Sequence, residues 1–231
     1  MSIRGCIVLP SLGSALIAVV LVTIPASAQE YRVKVVDEKP PVDLLSEEIG
    51  ASLQSQSITV VDDQDSLLCE IWLRKHWQIV DPAPEASDIL YPFEPGELIG
   101  VLRFAKRNAD FREQPISKGL YTLRYALQPV DGNHVGTSPT RDFLLLVRAK
   151  DDTSLKNFDP QELLTVSAAA ARTAHPAMLA LRKPPEKTEK ALLEHREADE
   201  TWVLSFAGEG KHGDLSRRLA VSLVVEGHAQ E

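Results

Sequence analysis

Between residues 67 and 128 the chain twice sets apolar side chains at every second position. Leu67, Cys69, Ile71 and Leu73 alternate with Leu68, Glu70, Trp72 and Arg74, and Tyr121, Leu123, Tyr125 and Leu127 alternate with Thr122, Arg124, Ala126 and Gln128. A two-residue period sends alternate side chains to opposite faces of a pleated strand, so both stretches read as half-buried β-strands with Cys69 turned inward. Phe143-Leu144-Leu145-Leu146-Val147 is apolar at both parities and reads as a central strand covered on both faces. Trp202, Leu204 and Phe206 share one face, as do Leu219, Val221, Leu223 and Val225. Weaker strand patterns occupy Arg32–Val36, Ser57–Val61, Leu98–Phe104 and Ala177–Leu181.

Turn chemistry favours antiparallel neighbours. Lys118-Gly119 precedes the Tyr121 strand, and Pro129-Val130-Asp131-Gly132-Asn133 follows it. Gly208, Gly210 and Gly213 punctuate a loop between the last two strands, which read as a hairpin. About nine strands without regular intervening helices point to a mainly β, antiparallel, immunoglobulin-like β-sandwich rather than a parallel α/β sheet. One or two peripheral helices accompany it. Asp159-Pro160-Gln161-Glu162 joins a capping acid to proline at the first helical position, and the helix runs through Ala168–Ala171 to His175-Pro176. A second helix is expected over Asp43–Gln54, weakened by Gly50. Asp81–Gly96, with four prolines, reads as a long surface loop, and Lys183–Glu200 as a charged connection with a helical turn or edge strand near Ala191–Glu194.

The amino terminus points to export. Met1 to Arg4 is short and basic, Cys6–Ile24 is uncharged, and Pro25 leads into Ala26-Ser27-Ala28. This is the order of a cleaved secretory signal, with small residues at the cut. The organisation expected is a signal over 1–28, an N-terminal extension with a helix over 29–56, and a single β-sandwich domain over 57–231. No later stretch approaches the length of a membrane span. Cleavage would leave Cys69 as the last cysteine, so the exported chain is disulfide-free and its stability rests on apolar burial. A formal net charge of −8 argues against nucleic acid as a partner.

Gly119-Leu120-Tyr121-Thr122-Leu123-Arg124-Tyr125 resembles the strand entry of a family of exported bacterial β-sandwich domains of unknown function. The stretch from Tyr121 through His134 to Arg141-Asp142-Phe143, and Cys69-Glu70-Ile71-Trp72-Leu73-Arg74-Lys75, resemble uncharacterised secreted proteins of environmental bacteria. The resemblance covers about Ser57 to Lys150. It implies export and a sandwich fold, and carries no activity with it.

Site motifs are sparse. The six histidines lack the spacings that chelate a metal from one strand or helix turn, and neither a nucleophile elbow nor a phosphate-cradling glycine loop is present. His175 and Met178 lie near one another, but Cys69 is remote, so no copper site is assembled locally. No catalytic residue, metal ligand or cofactor is assigned. The candidate ligand-binding cluster is Asp131, His134, Arg141 and Asp142, which brackets a polar loop between two strands and would gather at one end of the sandwich. There it would take a small polar ligand or a divalent cation. As plain turn chemistry, Asp131-Gly132 makes the turn, Asp142 caps or pairs with Arg141, and His134 is exposed. Trp72, Trp77, Tyr91 and Phe93 would form a sugar-stacking platform if they shared a surface, but large aromatics more often contribute core area.

The expected function is therefore a secreted or periplasmic binding or structural module, recognising carbohydrate or another small polar ligand. Its partner would be that ligand or a cell-envelope or extracellular protein. The alternative is a hydrolase or metal-dependent enzyme using the Asp131–Asp142 region.

Overall fold

The computed structural model describes residues 30–130, 138 and 140–227. The expected signal segment, Asp131 and His134 lie outside the described residues. Among the described residues thirteen strands dominate: β1 (Tyr31–Val36), β2 (Ser57–Asp62), β3 (Leu67–Leu73), β4 (Trp77–Gln78), β5 (Leu98–Phe104), β6 (Asn108–Ala109), β7 (Pro115–Ile116), β8 (Gly119–Leu127), β9 (Asp142–Arg148), β10 (Met178–Arg182), β11 (Leu192–Arg196), β12 (Thr201–His212) and β13 (Leu215–Glu226). Two helices accompany them, α1 (Glu47–Ser52) and α2 (Pro160–Ala171).

The chain is mainly β, as expected, but its strands form one curled sheet rather than two separate ones. The order is β1-β2-β3-β5-β8-β9-β10-β13-β12-β11, with β4 paired to β12 and with β6-β7 as a separate hairpin. Every pairing along that path is antiparallel. The curl turns at β10. Met178–Ala180 pair with β9, whereas Leu181 and Arg182 pair with β13. A strand that changes partners midway makes the corner of a strongly bent sheet. The two arms then share one core, in which Ile71, Leu123 and Leu146 from the first arm pack with Leu204, Phe206 and Val221 from the second. Near the open ends of the curl, the Tyr31 and Trp202 rings meet edge-on with centroids 5.4 Å apart.

Cys69 is fully buried in this core, as its parity implies, and has no disulfide. The half-buried expectation for β3 and β8 is corrected, because Leu68, Glu70, Trp72, Thr122 and Arg124 on their other face are buried too. The covering residues explain the difference. Ile49 and Leu53, from and just beyond α1, pack with Trp72, Leu98 and Val101, and Leu163 of α2 packs with Leu145 and Val147 of β9. α2 starts where its capping signal sets it, since the Asp159 carboxylate accepts from the Gln161 and Glu162 amides. α1 is shorter than the Asp43–Gln54 expectation. Ser46 caps it, and a single 3-10 turn (Val42–Leu44) precedes it.

Gly208 and Gly210 lie inside β12 rather than in a loop, and the β12–β13 turn is confined to Gly213 and Asp214. Packing is the reason. A Cβ on Gly208 would come 2.5 Å from the Trp77 ring, and one on Gly210 would come 2.9 Å from Ile79. The glycines clear a groove for β4. In it Trp77 and Gln78 run parallel to Gly210 and Lys211, and the Trp77 indole donates to the Ile99 carbonyl at 2.8 Å. Trp77 therefore bridges the two arms.

Candidate functional site

Of the cluster expected from sequence, Arg141 and Asp142 are described, and they take separate tasks. Asp142, at the start of β9, is buried and accepts the Tyr125 hydroxyl at 2.6 Å, the Leu90 amide at 2.9 Å and the Tyr91 amide at 3.2 Å. Burial pushes its carboxyl above the usual range, against these hydrogen bonds. The same burial, with the Asp142 charge beside it, raises the Tyr125 phenol. Tyr91 completes the knot by donating to the Arg182 carbonyl and accepting from the Ser222 amide. Asp142 thus anchors the proline-rich loop to the sheet. Arg141 lies beside Gln128 as antiparallel pairing implies, with its Nε donating to the Gln128 carbonyl at 2.9 Å. Its guanidinium sits 3.9 Å from Asp88 rather than on Asp142.

The four aromatic residues considered as a sugar platform are core residues. Trp72, Trp77, Tyr91 and Phe93 are each at most 3% exposed. Phe93 meets Trp77 and Tyr125 edge-on and stacks on Tyr91.

A different place on the surface holds an open, polar depression. A cleft of about 550 Å3 is lined by Gln54, Lys75, Gly208, Glu209 and the run Ser216-Arg217-Arg218. β4 creates it. Beyond β3 the chain crosses to β12, and Lys75 is held on the way by its amide to the Ser52 carbonyl at 2.9 Å and its ammonium to the Ala51 carbonyl at 2.7 Å. A cation suits those last carbonyls of α1, whose dipoles point at it. Neighbouring Arg74 turns away to the buried carboxylate of Glu97, at 2.6 Å, which also accepts the Gln78 amide. On the opposite wall Arg218 stands across from Glu209 in the β12–β13 ladder and shares its face with Ser216, whereas Arg217, across from Gly210, lies on the other face of the sheet.

The charges in this cleft do not balance. Glu209 accepts the Ser216 hydroxyl and lies 3.3 Å from the His76 ring and 3.9 Å from Lys211. The Ser216 hydrogen bond, helped by Lys211 and His76, holds its carboxyl below the usual range. By contrast, neither Lys75 nor Arg218 comes within ion-pair distance of a carboxylate among the described residues. Arg218 donates to the Glu189 carbonyl at 3.2 Å, and on the other face of the sheet the Arg217 Nε is buried with no hydrogen-bond partner among the described residues. Sequence reasoning missed this site because its walls come from residues far apart in the chain. The available signal was the polar parity of Ser216 and Arg218 on β13, facing Glu209 on β12.

Among the described residues no three His, Cys, Asp or Glu side chains converge as metal ligands. No described helix is long and apolar enough to cross a membrane. No protein-family model, curated protein or solved structure matches the chain.

Proposed function

We propose that this chain is an exported β-sandwich-type binding module, akin to the exported bacterial domains its strand motifs resemble, and that it takes a small polar ligand in the cleft beside Lys75. The observation that carries this reading is the cleft itself. Its volume lies within the range of small-molecule sites, and fixed polar side chains line it on two walls. Export is supported by the signal pattern at residues 1–28. The sandwich character is supported by the corner at β10 and by the single core the two arms share. A binding role is favoured over hydrolysis at the Asp142 loop because that carboxylate is committed to three internal donors.

The test is a ligand-observed NMR screen of sugars, amino acids, organic acids and phosphates. It is run on the wild type and on Ser216→Trp, which fills the cleft from an exposed position. Compounds that bind the wild type and are lost in the variant support the reading. No binder, or binders indifferent to Ser216→Trp, would contradict it.

A further inference from the structure

We infer that β1 is a strap that closes the curled sheet into a barrel, by pairing along its free edge with the free edge of β11. Topology, side-chain matching and charge each point to that closure.

Topology fixes the sense of the pairing. β1 and β11 are the two ends of the ten-strand path, and every neighbouring pair along it is antiparallel. An even number of alternating strands sets the last antiparallel to the first, which is the sense an all-antiparallel barrel needs. The two edges are already neighbours. Some Cα atoms of β1 lie within 8 Å of β11, and Trp202 joins the strands by meeting Tyr31 edge-on and stacking on His195 at 4.8 Å. A further strand between them would need about 9.5 Å, two interstrand spacings, so where they approach the space fits closure and not an inserted peptide. Among the described residues no backbone hydrogen bond yet joins them.

The side chains match along the seam. Tyr31, Val33 and Val35 share the inner face of β1, with Val35 opposite the core residue Ile58. Tyr31 and Val33 pack on the core, but Val35 is 57% exposed, so the core is uncovered at that end of the seam. On the other side Ala191 and Leu193 pack on the core, Leu193 opposite Leu204. Counting antiparallel from Tyr31 beside His195 sets Val33 against Leu193 and Val35 against Ala191. Pairing in that register covers Val35. It also joins two strand edges that would otherwise invite pairing with other chains.

Charge agrees with the same register, which brings Arg32 opposite Glu194 on the outer face. Arg32 and Lys34 share one carboxylate, Asp65, at 3.3 and 2.7 Å. Glu194 has no cation within ion-pair distance among the described residues. Opposite charges facing one another across a strand pair are favourable. Two copies of β1 paired edge to edge about Val33 would instead set Arg32 against Lys34, which disfavours a second copy as the partner.

Oxidative cross-linking of Arg32→Cys/Glu194→Cys, in the full chain with Cys6→Ser, tests the closure. Both sites are exposed, so neither substitution threatens the fold, and the buried Cys69 does not compete. Facing residues of an antiparallel pair stand about 4.5–5.5 Å apart at Cα, within disulfide reach. The expected result is a disulfide within one molecule and a higher melting temperature than in the reduced form. In the wild type, the β1 amides that point away from β2 should exchange at least about tenfold more slowly than those of an open strand edge. A disulfide-linked dimer would overturn the closure by giving the free edges to a second copy. Failure to cross-link, or outward β1 amides exchanging as an open edge does, would overturn it as well.

Discussion

Arg124 and Asp152 face one another through two parallel hydrogen bonds, Nε to Oδ2 at 2.8 Å and Nη2 to Oδ1 at 2.7 Å, with both side chains closed off from solvent. The remaining donors of Arg124 reach the carbonyls of Gly96, Ser154 and Lys156, and its guanidinium lies over the Phe158 ring. Thr122 donates to the same carboxylate. One guanidinium thus fastens two loops to the outer face of β8. Removing one partner leaves a buried charge uncompensated, so Asp152→Ala should cost about 3–5 kcal/mol of stability. Urea denaturation measures this, and a loss below about 1 kcal/mol would mean the pair is hydrated in solution.

Stability should be highest on the mildly acidic side of neutrality. Burial raises the carboxyls of Glu97, Asp142 and Glu226, so over that window the folded chain binds protons more tightly than the unfolded chain. Their contribution is complete below the ordinary carboxyl range and is lost as pH rises through the raised folded values. Asp65, held low by Lys34, and Glu209, held low by Ser216, act below that window and do not cancel it. Melting temperatures measured from about pH 5 to about pH 7 should fall, and Glu226→Gln should flatten the slope. A rise over that range would contradict the assignment.

Cys69 should be inert in the folded protein. Burial, with Glu226 and Glu70 adding to it, pushes its thiol up to about 12, so almost no thiolate exists at neutral pH. Reaction with a chromogenic disulfide should be slow in buffer and rapid in denaturant. Fast stoichiometric labelling of the native protein would place the thiol outside the core.

Gly208→Ala should disturb the contact between the arms. The added methyl would press on three atoms of the Trp77 ring at 2.5 to 2.8 Å, and the indole is pinned by its bond to Ile99. Overpacking of this kind costs about 1–3 kcal/mol, and Trp77 fluorescence should shift with it. Wild-type stability in the variant would show that the ring has room to move.

The strands were legible because their pattern is local. Two-residue alternation at Leu67–Leu73 and Tyr121–Leu127 and double-sided apolarity at Phe143–Val147 follow from strand geometry alone. Asp159-Pro160 likewise marks the start of α2 from its own chemistry. The outer cover of β3 and β8 was not legible, because Trp72 and Arg124 are buried by residues near Ile49 and Asp152, whose placement depends on the tertiary fold. Glycines normally signal turns, so Gly208 and Gly210 read as a loop until the Trp77 ring shows what they accommodate. Arg141 and Asp142 do sit together at a strand start, but parity turns Asp142 inward to Tyr125 and Arg141 toward Gln128. The cleft depends on the crossing of β4 to β12, a parallel contact of two residue pairs that no periodicity announces.

That crossing carries Lys75 toward Glu209 and Ser216, and nuclear Overhauser contacts in isotope-labelled protein test it most directly. The account predicts backbone contacts between Trp77–Gln78 and Gly210–Lys211, a slowly exchanging Ile79 amide bonded to the Lys211 carbonyl, and Trp77 ring protons against Gly208. A solvent-exposed Trp77 indole with no contact to residues 208–211 would contradict it, since the two walls of the cleft would then stand apart.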